Sequence, residues 1–364
     1  MIPEYIRCSS IKEGDKLART LYMDDDRILM RAGNKLTKAS INAIMNQGYK
    51  GIYIESELSN KREDMPIAEP LIGDFESMQV VSLMKKMTFN TNILKDRNCP
   101  KFFTYRKDLE DYVKGFIDIF YDLNDKGELL LETEDARTRN TWIFYHSLNT
   151  CLIAIGMCAK MDLPKQRTFD IAMGAIFHDV GKLFINRELV FKDNINEKEK
   201  AEIREHCTTG FRMFQTHGYP VDTTYAIWQH HEREDGTGYP NRVDPSKIPL
   251  SAKIVGLASS YDNMVNYTPY NTNPIPQKDV LEMICADSRF NKECVIALAQ
   301  FVTPYPIGTK VKLSNGVEGI VIKNKAGQPL RPLVLSGRAD VYNLADDTRY
   351  LNVTIELTVI KLSY

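Results

Sequence analysis

The chain has 364 residues, 43% hydrophobic and 10% aromatic, enough for two or three domains with packed cores. Its 47 Lys and Arg nearly balance its 48 Asp and Glu, so the basic bias of a dedicated nucleic-acid binder is absent. Seven scattered cysteines with no C-x-x-C pair, no apolar run near the roughly 18 residues of a membrane helix, and a start without a basic-then-apolar leader predict a reduced, cytoplasmic protein with no membrane partner.

Residues 1–60 read as a small α/β module. The stretches 16–23 and 27–30 flank Asp24-Asp25-Asp26, a turn-like link suited to a hairpin and read as solvated rather than cation-binding. Thr37 is placed to cap a helix from Lys38 to Met45, Gly48 ends it, and residues 51–54 read as a closing strand. Residues 61–135 combine a polar linker carrying Pro66 and Pro70 with lead-in helices, marked by Val80, Leu83, Met84 and Met87 and then by Tyr112, Phe116, Ile119 and Phe120. Residues 136–303 predict a helical core, with helices over about 141–160, 166–178, 197–217, 221–231, 250–266 and 277–303. From residue 304 the apolar period changes to two, and Ser314-Asn315-Gly316 between two alternating runs predicts a hairpin in a small β module over 304–364. The fold class expected is mainly α: a helical bundle with an α/β module before it and a β module after it.

The chemistry concentrates in His178-Asp179-Val180-Gly181-Lys182 and in the run from His230 to Pro240. With His146 and His206, these hold five of the six histidines, leaving His217 outside. Neutral imidazoles are good ligands for iron, zinc or manganese, and a carboxylate can bridge two such ions. Asp179 is the natural bridge, with His206, His230 and His231 completing one ion and His146 and His178 holding the other. Lys182, three residues after Asp179, falls on the same helical face and could reach a phosphate oxygen. Cys207 adjoins His206, but neighbouring helical side chains diverge by about 100°, so it reads as core.

These two motifs, with Glu205-His206 and the Gly238-Tyr239-Pro240 segment, make residues 140–301 resemble the HD-GYP branch of the HD phosphohydrolases. The resemblance implies an HD-type helical bundle and a phosphodiesterase for cyclic di-GMP, a bacterial second messenger. It implies metal ligands at His146, His178, Asp179, His206, His230 and His231, and catalytic roles for Asp179 and Lys182. It places Lys182 beside the substrate phosphate and makes Gly238, Tyr239 and Pro240 the substrate-shaping loop. The implied cofactor is a pair of divalent ions, iron or manganese first, with zinc, nickel or magnesium open. The implied partners are cyclic di-GMP or a related nucleotide, a diguanylate cyclase or other signalling protein, and a second copy in a homodimer.

Three departures bear on that expectation. Trp142 stands where trinuclear members carry Glu, so a third ion is not expected. Ser259 stands where the family has an Asp ligand, and Asp262, which matches a second family acid, is expected to point elsewhere. Thr268 occupies the place of an Arg that holds the substrate phosphate. Ser259 and Thr268 motivate a rival to the favoured enzyme reading: a catalytically degenerate member acting as a nucleotide- or partner-binding module.

Overall fold

The computed structural model describes residues 3–56, 71–88, 100–131, 138, 141–190, 192, 194–268, 273–338 and 340–358. Cys99 and the linker prolines Pro66 and Pro70 lie outside them.

The N-terminal module is built from β1 (Pro3–Arg7), β2 (Leu21–Tyr22), β3 (Ile28–Met30), α1 (Lys38–Asn46) and β4 (Gly51–Glu55). The hairpin of β2 and β3 turns through the acidic triplet, and β4 pairs antiparallel with β1. Thr37 does cap α1, in a reciprocal box with Ser40. Leu17, Leu21, Leu36, Ile44 and Ile52 form its own small core.

The acidic triplet is not a free solvated turn. The buried Lys85 ammonium, on α2 (Asp74–Thr88), donates to Asp26 Oδ1 at 2.5 Å and to the Asp24 carbonyl at 3.0 Å. Thr138 Oγ1 donates to Asp24 Oδ1 at 2.8 Å. The turn therefore fastens the module to the helical body through contacts from distant parts of the chain.

The body follows as α3 (Pro100–Asp125), α4 (Trp142–Lys160), α5 (Lys165–Phe177), α6 (Arg187–Val190), α7 (Glu197–Arg204), α8 (His206–Thr216), α9 (Val221–Gln229), α10 (Leu250–Val265), α11 (Gln277–Ala286) and α12 (Lys292–Ala299). α4 is the central helix: it packs on α5, α10, α12, α3 and α2, and all but three of its residues are buried. Its composition explains why. Among the described residues it alone is long and apolar enough to cross a membrane, with mean hydropathy 1.3, yet 89% of that window is buried inside the protein. The sequence reading passed over this run; its apolarity reflects burial on all sides by neighbouring helices.

One expected helix is two. The run over 197–217 breaks at Glu205, whose amide bonds the Glu202 and Ile203 carbonyls rather than continuing the regular ladder. The expected run 277–303 is likewise split into α11 and α12, with Asn291 capping the second.

The C-terminal module is a five-stranded antiparallel sheet in the order β8-β7-β6-β5-β9, from β5 (Lys310–Leu313), β6 (Glu318–Lys323), β7 (Leu333–Ser336), β8 (Val341–Asn343) and β9 (Ile355–Thr358). The hairpin between β5 and β6 turns at Gly316, with φ at +81°. Val311, Leu313, Val321 and Val334 fill its core. The sheet touches the other end of the chain, where Lys310 pairs with Glu4 at 2.5 Å.

Asp26→Asn keeps the left-handed backbone at φ +67° but leaves the Lys85 ammonium without its carboxylate. The substitution is expected to destabilise the protein by about 1–3 kcal/mol in urea unfolding. Unchanged stability would mean that this contact does not hold the module in place.

Candidate metal centre

The centre lies where α4, α5, α8, α9 and α10 converge. Three of its histidines are held by one local device. His178 follows the last residue of α5, and its Nδ1 lies 2.7 Å from the Ala175 carbonyl. His230 follows the last residue of α9, with Nδ1 3.0 Å from the Ile227 carbonyl. His206 sits at the junction of α7 and α8, with Nδ1 2.6 Å from the Ile203 carbonyl. In each case the ring reaches back three residues to a carbonyl in the last turn of a helix. A carbonyl only accepts, so Nδ1 carries the hydrogen and a neutral ring keeps its lone pair at Nε2.

The Nε2 atoms then converge. His178 and His146 Nε2 lie 3.2 Å apart, and those of His206 and His230 3.5 Å apart. Asp179 stands between the two pairs. Its Oδ1 is 3.3 Å from His206 Nε2 and 3.7 Å from His230 Nε2, and its Oδ2 is 3.5 Å from His178 and 3.7 Å from His146. Oδ2 also accepts from Lys182 Nζ at 2.6 Å, whereas Oδ1 is buried without a hydrogen-bond partner. Facing lone pairs and an unsatisfied buried carboxylate oxygen are costly by themselves, and a divalent cation satisfies both. The donors fall into two groups: His206, Cys207, His230 and His231 in one, and His146, His178 and Asp179 in the other.

The electrostatics agree. Burial holds His178 down to about 4 and keeps His230 and His231 well below the usual imidazole range, so these rings stay neutral. Burial alone would raise Asp179, but the Lys182 charge, His178 and His206 outweigh it and hold the carboxyl well below the usual range. Deprotonated carboxylate and neutral imidazole are the forms that bind metal.

Two readings are corrected here. Asp262 does not point elsewhere: it is fully buried, and its Oδ2 lies 2.6 Å from His146 Nδ1. Asn149 and Asn266 both donate to its other oxygen, at 2.8 and 2.7 Å. Asp262 thus orients His146 as the helix-end carbonyls orient the other three. Cys207 belongs to the cluster, with Sγ 3.4 Å from His206 Nε2. Neighbouring backbone directions do diverge, but the His206 ring folds back toward Ile203, which carries Nε2 toward the thiol.

The departures also find their places. Ser259 Oγ lies 3.2 Å from His146 Nε2, and Asn263 Nδ2 3.4 Å, so neutral groups stand on this side of the centre. The Trp142 ring is buried and stacks beside His146 with centroids 6.1 Å apart, and Lys182 Nζ lies 5.6 Å over it. Thr268 is buried just beyond α10.

The loop after His231 is tied down against the cluster. Tyr239 stacks on His231 with centroids 4.4 Å apart, and Arg204 lies 5.2 Å over the Tyr239 ring. The buried Glu232 carboxylate accepts from the amides of Asn241 at 2.8 Å and Val243 at 3.3 Å. The reading from sequence gave neither Glu232 nor Arg204 a role, although Glu232 lies inside the His-His-Glu triplet. Two glycines are required by close approach. A Cβ at Gly181 would lie 2.0 Å from the His206 carbonyl oxygen, and one at Gly238 would lie 2.5 Å from that of His231.

Residues 128–289 match the HD domain family. A cyclic di-GMP phosphodiesterase of Pseudomonas aeruginosa is 26% identical over 210 residues, covering 56% of this chain and 50% of that protein. One from Thermotoga maritima is 29% identical over 187 residues, covering 50% and 49%. A 3'3'-cGAMP-specific phosphodiesterase of Vibrio cholerae is 27% identical over 144 residues, covering 39% and 33%. The solved structure of Bd1817, an HDG"Y"P protein from Bdellovibrio bacteriovorus, aligns over 81% of this chain and 98% of its own, with 14% identity and a TM-score of 0.49. The chain spans about half the length of the first two of these relatives. The matched HD-domain segment carries the His and Asp cluster, which suits a divalent metal.

Asp262→Asn removes the charge that holds the His146 Nδ1 hydrogen. It is expected to weaken metal binding at the His146–His178 side about 10–100-fold, read by equilibrium dialysis with Mn²⁺. Equal affinity in the variant would remove Asp262 from that role. A second expectation concerns pH. Between 6.5 and about 4, the unfolded chain binds a proton at His178 that the folded chain refuses. The metal-free protein should therefore lose stability as pH falls through that window, by roughly 3 kcal/mol from His178 alone. A flat profile in urea unfolding would contradict the buried, neutral ring.

Proposed function

We propose that the chain is a metal-dependent phosphodiesterase that hydrolyses cyclic di-GMP at a dinuclear centre. The observation that carries this reading is Asp179, which turns one oxygen toward His206 and His230 and the other toward His146 and His178. In this reading His206, His230 and His231 would hold one ion and His146 and His178 the other, with Asp179 available to both. Iron or manganese suits such a mixed imidazole and carboxylate set, with zinc, nickel and magnesium as alternatives.

Bound divalent ions would supply Lewis acidity toward phosphoryl oxygens and activation of water. The chain's own groups supply the rest. Asp179 stays deprotonated because Lys182, 2.6 Å away, offsets its burial. Lys182 brings a positive charge to the edge of the cluster, where charge grows on phosphate oxygens during in-line displacement. Gly238, Tyr239 and Pro240, pinned beside His231 by Glu232, would form the wall against which the substrate sits. The names of the relatives support a cyclic dinucleotide as substrate, and the cGAMP-specific one makes base identity a point to test.

A second reading, a binding module without turnover, is favoured by Ser259. Its hydroxyl lies 3.2 Å from His146 Nε2, where the family places a carboxylate, and a neutral donor holds a cation far less firmly.

One experiment separates the two readings. Metal content and hydrolysis of cyclic di-GMP and 3'3'-cGAMP are measured for the parent chain, His231→Ala and Ser259→Asp. The enzyme reading expects turnover in the parent and the loss of about one ion and all turnover in His231→Ala. Ser259→Asp should bind metal at the His146–His178 side at least about tenfold more tightly. A parent that binds dinucleotide without cleaving it, with no turnover gained in Ser259→Asp, would establish the binding module instead.

A further inference from the structure

A cavity of about 600 Å³ lies at the meeting of the N-terminal module, the helical body and the C-terminal sheet. That is a usual size for a small-molecule site. No residue of the metal cluster lines it. Its described lining includes the cations Arg7, Arg19 and Lys50. Among the described lining residues the one carboxylate is Glu4, paired at 2.5 Å with Lys310, which also lines the cavity. The wall is therefore positive.

It is also aromatic. Arg19 lies 4.1 Å over the Tyr53 ring, Tyr5 meets Tyr53 edge-on at 5.4 Å, and Lys50 lies 5.4 Å from the Tyr267 ring. Guanidinium and ammonium groups beside aromatic rings recognise phosphate and a flat heterocycle together.

The cavity has a covalent and hydrogen-bonded route to the metal centre. α4 carries His146 and, one turn on, Asn149, and α10 carries Ser259 and Asp262 and ends just before Asn266. Asn149 and Asn266 line the cavity, both are buried, and both donate to the Asp262 oxygen not facing His146. A group seated against these amides acts on the carboxylate that orients a metal-facing ring.

We propose that this cavity is a regulatory site for a nucleotide, its phosphate held by Arg7, Arg19 and Lys50 and its base by the tyrosines. Occupancy reaches the metal centre through Asn149 and Asn266, then Asp262, then His146. The site is separate from the one where hydrolysis is proposed, and its test does not depend on turnover.

The test uses the full chain, stripped of metal by chelation, with GMP, AMP and inorganic phosphate as probes in calorimetric titration. A nucleotide is expected to bind, and Arg19→Ala/Lys50→Ala to weaken it about tenfold or more, the loss of charged hydrogen bonds. Asp179→Asn should leave that affinity unchanged. Lys50→Glu, a reversal at an exposed side chain, gives the same reading should the double variant fold poorly. Mn²⁺ titrated with and without the bound nucleotide should differ in affinity about fivefold or more. Asn266→Ala should abolish that difference while still binding nucleotide. Three results would overturn the site: no binding by either nucleotide, equal binding of phosphate alone, or binding lost in Asp179→Asn but kept in the cavity variants. Metal affinity indifferent to bound nucleotide would overturn the route to His146.

Discussion

The centre depends on where each histidine places its single ring hydrogen. His178, His206 and His230 each give it to a carbonyl three residues back at a helix end, and His146 gives it to Asp262. One bond does two things at once. It fixes the ring against a helix-end carbonyl or a carboxylate, and it leaves the far nitrogen bare and aimed inward. Metal ligation is thereby tied to helix termination: α5 and α9 stop where they do at the residues whose rings enter the cluster. Lengthening either helix by a turn would take its imidazole away from Asp179.

The same economy appears in the contacts around the cluster. The segment after Asp179 can approach His206 closely only because Gly181 has no side chain, and the loop after His231 folds back over its own carbonyl only because Gly238 has none. Glu232 then accepts from two amides of that loop and holds it in place. Burial keeps the His178, His230 and His231 imidazoles neutral, while Lys182 keeps Asp179 charged against that burial. The His206 side is thus provided with imidazoles, a thiol and a carboxylate oxygen. The His146 side has the neutral Ser259 and Asn263 in its place for a second acid. The two halves of the cluster therefore differ in their donors.

The flanking modules are joined to the body by charge as well as by apolar packing. Lys85 and Thr138 reach the acidic turn of the N-terminal hairpin, and Lys310 reaches Glu4 from the C-terminal sheet. Their junction leaves a cavity lined by Arg7, Arg19, Lys50 and tyrosines, beside the two helices that carry His146 and Asp262. A module docked there can bias the centre without contributing a ligand to it.

The amino-acid sequence by itself determined the helical class, the hairpin at Asn315-Gly316, the cap at Thr37, and the residues that gather in the cluster. Those features rest on short-range patterns: apolar period, turn chemistry, and histidines adjacent to Asp179 or to each other. Tertiary structure alone decided the rest, because each remaining feature joins residues far apart in the chain. Asp262 became the partner of His146 across 116 positions, and Asp26 the partner of Lys85 across 59. The break at Glu205 and the turn of Cys207 into the cluster arise from the His206 ring folding back on Ile203, a side-chain choice that helical periodicity does not encode. The pairing of β1 with β4 needed the whole module to close, since strand propensity names neither a partner nor a register.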